Sequence, residues 1–304
     1  MRRSRVLLGI TLALVIAGSM VAGVSGCAGK GSTSGRLHVV ATMFPMADLA
    51  RQAGGNLVEV TMLLPAGASP HTFEPTPDQV KAVATADVFI ENGLGVDFWA
   101  ATLLNSAQNP KMVRVVAADA IDPSLLLTDT LAASGSNDPH VWNDPALAQI
   151  ELGAIRDALI RADPAHQSDY TANAAVYSKQ LGDLIPAISS QLANLKSRDL
   201  VTFHNGFAYF ARAFNLEQAA VIEEFPGTQP SPQYIQQVVT IIQSQNVPAI
   251  FAEPEFSPKA AEVIAQESGA KVYTIDPEGG ADPTLDTLVK LLQNTASVIK
   301  QGLG

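Results

Sequence analysis

The sequence predicts an α/β protein with two halves of parallel sheet, separated by one long helix. Three observations carry this. From Arg36 onward, short β-like runs alternate with stretches of helical apolar spacing. The alternation is interrupted once, by the longest helical stretch of the chain, roughly Ala165 to Lys196. It then restarts in the same plan: strand, loop, helix, strand, helix. Strands that alternate with helices imply parallel pairing through crossover helices.

The elements follow in order. Leu37 to Thr42 is a short apolar run, and Pro45 to Ala53 carries apolar residues at helical spacing until Gly54 and Gly55 close it. Val58 to Leu64 is a second strand, ended by Pro65. Thr76 can cap a helix whose first position is Pro77, since proline loses nothing where the N–H has no partner. Val88 to Glu91 and Met112 to Val116 are further strands. A helix runs from Pro145 to Ala162, and Asp163–Pro164 breaks it. The long stretch after it contains Pro186, which should kink or divide it. In the second half, Leu200–Phe203, Ala219–Ile222, Ala249–Ala252 and Val272–Ile275 read as strands. Phe207–Phe214, Ser231 to about Gln245, Pro258–Ser268 and Thr284–Lys300 read as helices. No sequence repeat accompanies this architectural similarity. The expected divisions are 36–164 for the first lobe, 165–198 for the connecting helix and 199–304 for the second lobe.

The chain has 304 residues, of which 47% are hydrophobic and 16% charged, enough for a sizeable core and too apolar for wholesale disorder. The formal charge of −10 argues against a nucleic-acid-binding surface, because phosphate backbones need clustered Lys and Arg. It suits a cationic ligand and equally suits mere solubility.

The first residues read as a targeting segment. Arg2, Arg3 and Arg5 precede an apolar run from Val6 to Val24, then Ser25, Gly26 and Cys27. The run is also long enough to span a bilayer as a retained anchor. Cys27 is the chain's one cysteine, so it has no internal disulfide partner. Its position after Val-Ser-Gly resembles a bacterial lipobox, in which the cysteine takes lipid and becomes the new N-terminus. Residues 1–26 are therefore expected as a lipoprotein signal peptide, Cys27 as the lipidation site and membrane anchor, and 27–35 as a flexible tether. Loss of the three arginines would leave 16 basic residues against 29 acidic ones.

Candidate chemistry sits in loops. His71 lies in the Pro-rich stretch Pro65–Pro77, His140 in Asn137–Pro145, and His204 directly follows a strand, as does Asp276. Ligands in open α/β sheets bind at that carboxyl edge. Three imidazoles and a carboxylate would make a complete tetrahedral shell for Zn²⁺, whereas Ca²⁺ and Mg²⁺ favour more oxygens. No sequence-local zinc motif exists, so any one of these histidines could equally be a hydrogen-bonded loop residue. His38, in a strand, and His166, after Pro164, read as structural or exposed residues.

The stretches Leu63–Pro77, Glu91–Trp99 and Asp138–Pro145 closely resemble the zinc/manganese substrate-binding lipoproteins of ABC transporters. So do the segment from His204 through Tyr209–Phe214 and the Pro-Ser-Pro element within Gly227–Pro232. The resemblance spans nearly the whole chain beyond the tether, in the family's order. It implies two α/β lobes joined by one long backbone helix, with the metal held in the cleft between them. It implies His71 and His140 as first-lobe ligands and His204 and Asp276 as second-lobe ligands. Members with His at the third position lean to zinc and members with a carboxylate there to manganese, so His204 implies Zn²⁺, with Mn²⁺ the alternative. The implied role is high-affinity extracytoplasmic capture of the ion, at the periplasm or outer surface, and delivery to an ABC transporter permease, by a monomer that is not an enzyme. Between Asp119 and Asn137 the chain lacks the His-rich acidic loop that many zinc members carry.

Glu74, Asp138, Asp144 and Glu278 are candidates to hold the ligands' second nitrogens, or else caps and loop hydrogen-bonding groups. Two rivals remain. An exported zinc-dependent hydrolase would need an open coordination position and a base such as Glu74 or Glu278, against which stand the fourth ligand and the lack of a hydrolase motif. An adhesin role has no residue that selects for it. Siderophore or haem capture is disfavoured by ordinary aromatic content and the lack of an Arg cluster.

Overall fold

The computed structural model describes residues 35–129, 131 and 135–304. The expected signal peptide, Cys27 and nearly all of the tether lie outside the described residues. From Leu37 the chain runs β1 (Leu37–Ala41), α1 (Phe44–Gly54), β2 (Val58–Met62), α2 (Pro77–Ala84), β3 (Val88–Glu91), α3 (Ala100–Ala107) and β4 (Val113–Val116). It continues with α4 (Pro145–Ala162), α5 (Gln167–Gln191), β5 (Asp199–Thr202), α6 (Ala208–Ala213), β6 (Glu217–Val221) and α7 (Pro232–Gln245). It closes with β7 (Ala249–Ala252), α8 (Lys259–Ser268), β8 (Lys271–Thr274) and α9 (Leu288–Leu303).

The strands form two four-stranded parallel sheets, ordered β2-β1-β3-β4 and β6-β5-β7-β8. In each, β-order reverses between the two central strands, the switch point at which such sheets open a crevice. Burial follows position. Central β3 and β7 are buried along their whole length, as strands covered on both faces must be, while edge strand β8 is mostly exposed. One continuous core joins β1, α1, α4, α5 and α9, and smaller clusters fill the outer faces under α2 and α3 and under α7 and α8.

Several local expectations meet their physics. Thr76 and Gln79 form a capping box on α2, with Pro77 at its first position. Asp144 accepts from Ala146 N–H at the start of α4. Helix α3 was not singled out by the sequence: it is eight residues with no side-chain cap, seated on its neighbours by Ala100 and Leu103. Pro186 does not divide α5, which stays helical from Gln167 to Gln191, about 37 Å at 1.5 Å per residue. Its buried stripe (Tyr170, Ala174, Tyr177, Leu181, Leu184, Ile188) sustains it against the lost hydrogen bond. Helix α9 begins at Leu288, later than the expected Thr284, because Thr287 supplies the cap through Lys290 N–H.

Helix α5 packs against α1 and α4 of the first half and α9 of the second. The junction is polar and buried. Asp48 of α1 accepts from Tyr177 Oη–H of α5 at 2.5 Å and from Leu288 N–H at the head of α9 at 2.8 Å. Gln52 donates to its other oxygen. Burial raises the Asp48 carboxyl above its ordinary range, against the pull of these donors.

Candidate metal centre

The site is assembled from loops that leave the carboxyl ends of strands. His71 sits on a single 3₁₀ turn, Pro70–Thr72, in the connection between β2 and α2. Ser69 Oγ accepts its N–H, and Trp99 Nε1–H holds the Pro70 carbonyl. His140 precedes the short turn that leads into α4. His204 lies two residues beyond the end of β5, and Glu253 stands at the end of neighbouring β7. Because Thr202 pairs with Phe251, residues 204 and 253 are brought level with one another. Gly206 leaves room for the imidazole: a Cβ there would lie 2.9 Å from His204 Cε1.

The three imidazoles converge. Nε2 of His140 is 3.2 Å from Nε2 of His71 and 3.2 Å from Nε2 of His204. A zinc ion held tetrahedrally at about 2.0–2.1 Å from each nitrogen needs separations of about 3.3 Å. The fourth member of the convergent group is Glu278, all four donor atoms lying within 4.8 Å of one another. Glu278 Oε1 is 3.8 Å from His140 Nε2.

Asp276, the expected fourth partner, is placed differently. Its Oδ1 accepts from Glu278 N–H at 3.0 Å and Gly279 N–H at 2.6 Å, and its Oδ2 from Ala281 N–H at 3.4 Å. It thus turns the loop that presents Glu278. Both Glu278 oxygens are buried without a hydrogen-bond partner among the described residues. Burial, with the nearby Asp276 and Glu253 charges and against the pull of His140, pushes its carboxyl up to about 8. Glu255 lies beside Asp276, and burial and that carboxylate push its carboxyl well up.

Two of the imidazoles are oriented through their other nitrogen. His140 Nδ1–H donates to Asp138 Oδ1 at 2.9 Å, and the same oxygen accepts His140 N–H. His204 Nδ1–H donates to Glu253, whose other oxygen accepts His204 N–H at 3.2 Å. Each carboxylate fixes the tautomer that leaves an Nε2 lone pair facing the common centre. Among the described residues, His71 Nδ1 has no such acceptor. Burial pulls the His204 pKa down, but Glu253, Asp138 and Glu223 outweigh that and hold it above its ordinary value. Burial and the two other imidazoles hold His71 well below. Glu253 was missed by the sequence reading, although its place at the end of a strand is the signal that singled out Asp276. Of the other acids considered, Asp144 caps α4 and meets Arg212, and Glu74 is exposed.

The two halves are stitched beneath this centre. Asn205 Nδ2–H donates to Asp138 Oδ2 at 3.1 Å, Trp142 Nε1–H to the Pro277 carbonyl at 2.7 Å, and Asn143 Nδ2–H to the Gly206 carbonyl at 3.0 Å. Tyr209 Oη–H donates to the Asp138 carbonyl. Above the imidazoles a cleft of about 460 Å³ opens, with Leu94, Val96, Asn137, Phe225 and Pro226 among its lining. Among the described residues no helix is long and apolar enough to cross a membrane.

Comparison with known proteins agrees with this architecture. A sequence profile of the family described as "ZnuA: Zinc-uptake complex component A periplasmic" matches residues 39–302. The high-affinity zinc uptake system protein ZnuA of Bacillus subtilis is 28% identical over 268 residues, 84% of each chain. The manganese-binding lipoprotein MntA of Halalkalibacterium halodurans is 28% identical over 275 residues, 88% of each chain. The crystal structure of a ZnuA deletion mutant with zinc bound superposes with a TM-score of 0.79 at 30% identity, covering 88% of this chain and 98% of that one. Two parallel-sheet lobes, one long helix shared between them and a profile match over most of the length place this chain in the ZnuA family, among the zinc and manganese substrate-binding proteins of ABC transporters.

Proposed function

We propose that this protein captures a divalent transition metal outside the cytoplasm and hands it to the permease of an ABC importer, and that the metal is zinc. The convergence of three Nε2 atoms, with His140 Nε2 3.2 Å from each of the other two, carries the reading, because converging imidazole lone pairs are the donor set a transition-metal ion takes. His71, His140 and His204 hold the ion. A carboxylate of the 276–278 loop closes the shell: Asp276 is the residue implied by family resemblance, and Glu278 is the one whose oxygen already faces the nitrogens. A shell of three nitrogens and one oxygen suits Zn²⁺, since Mn²⁺ favours oxygen-rich octahedral sites.

The chain's own residues do the rest. Asp138 and Glu253 hold two imidazoles ready. Four protein ligands leave no open position at which to activate a nucleophile, which separates capture from hydrolysis. The Cys27 lipid anchor would keep the loaded protein at the membrane beside its permease, as a monomer. Elemental analysis of protein purified without chelator, followed by zinc–manganese competition, tests the reading. Bound zinc that manganese fails to displace at equal concentration supports it; protein that takes up neither ion, or hydrolyses ester, phosphate or peptide substrates when zinc-loaded, overturns it.

A further inference from the structure

His71 differs from its two companions in how it is held, and the difference leads across the cleft. With no acceptor at Nδ1 among the described residues, its orientation depends on the path of the short turn that carries it. That turn is met from the other lobe by the loop following β6. The loop starts beside His204: Glu223 N–H donates to the Phe203 carbonyl at 2.7 Å. It then folds back on itself, Gly227 N–H donating to Glu223 Oε2 at 2.9 Å. Gly227 thereby lies against Thr72, the residue after His71. It has φ +82, and a Cβ on it would stand 2.9 Å from Thr72 Cγ2. Glycine suits this left-handed backbone, and a side chain there would force Thr72 to shift.

We propose that the Glu223–Gly227 turn is the positioning element of His71, so that a second-lobe loop anchored beside one ligand sets the approach of another and governs how fast the metal leaves. This rests on the capture reading above. Asp138 and Glu253 do the same work for His140 and His204 through hydrogen bonds from within or beside their own loops. His71 has, beside the backbone bonds of its own turn, a van der Waals contact across the cleft. Such a contact forfeits about a quarter to a half of its attraction when the surfaces part by about 0.5–1 Å, whereas the bonds that hold His140 and His204 stay within or beside their own loops. His71 is then the ligand that responds to the relative position of the lobes.

The experiment loads the full chain with zinc, follows transfer to a colorimetric chelator by stopped flow, and uses Co²⁺ absorption as a signature of ligand number. Thr72→Ser removes the contacting methyl and keeps the hydroxyl; Thr72→Val keeps the methyl and removes the hydroxyl. The expected result is release about threefold faster in Thr72→Ser and unchanged in Thr72→Val. Gly227→Ala pushes on Thr72 and should speed release about tenfold, with weaker cobalt bands. Adding Thr72→Ser to Gly227→Ala should slow release again, because the clashing methyl is gone. Equal rates for Thr72→Ser and Thr72→Val, or additive effects in the double variant, overturn the proposal. If Gly227→Ala fails to fold, the two Thr72 variants decide alone. Wild-type protein that binds neither zinc nor cobalt would defeat the capture reading, a result distinct from either.

Discussion

His140 and His204 on one side, and His71 on the other, show two ways of presenting the same imidazole. The first two are buried to a few per cent exposure and each is gripped at Nδ1 by a carboxylate. The third is half-buried and gripped only through its backbone and its turn. Gripped imidazoles are preorganised and costly to move. An ungripped one is cheap to move, and a transport protein needs one such ligand if it is to give up what it binds.

The comparison breaks or sharpens under four tests. The largest effect is expected from His140→Ala and His204→Ala, each losing more than about 100-fold in zinc affinity by competition titration, since a ligand and its preorganised carboxylate are wasted together. Acidification comes next. His204 holds a proton to higher pH than an ordinary histidine and His71 only at much lower pH. As pH falls, protons therefore compete for His204 first, and affinity drops by up to about tenfold per pH unit below its raised pKa. Calorimetry at pH 7.5 and pH 5 giving equal affinities would refute this. Third, Asp138→Ala and Glu253→Ala should each weaken binding by about 10–100-fold, as loss of a ligand's orienting acceptor does. A loss below twofold would show that those bonds are structural only. The smallest effect concerns protons. Glu278, pushed up to about 8, carries one at pH 7 and must give it up beside a cation. Glu278→Gln should then remove about one proton from the number released on zinc binding, measured from the buffer dependence of the binding enthalpy. Loss of affinity in Asp276→Asn with proton release intact would assign the fourth bond to Asp276.

Much of this was legible in the sequence. Pro-rich loops pointed to His71 and His140 and the carboxyl edge of a strand to His204, and the structure brings all three to one point. Asp276 was expected as the fourth ligand and Glu278 as an acid orienting the histidines, whereas the structure groups the Glu278 oxygen with the three nitrogens. Both lie on one tight turn, and a short aspartate two and three residues before free N–H groups folds back onto its own loop, while the longer glutamate reaches outward. Glu253 escaped notice because an acid after a strand declares its purpose only once the neighbouring strand's register is known. Pro186 misled because local propensity registers the lost hydrogen bond and ignores the apolar stripe that outweighs it.

The Asp48 junction has a consequence for biogenesis. Residue 48 meets residue 288, so the first lobe's principal helix waits for the last helix before its buried carboxylate finds every donor. A chain that emerges N-terminus first therefore leaves this carboxyl group short of a donor until the head of its last helix, Leu288–Leu303, is available. The bond that ties α1 to α9 thus makes the completion of the first half's polar core depend on nearly the whole chain.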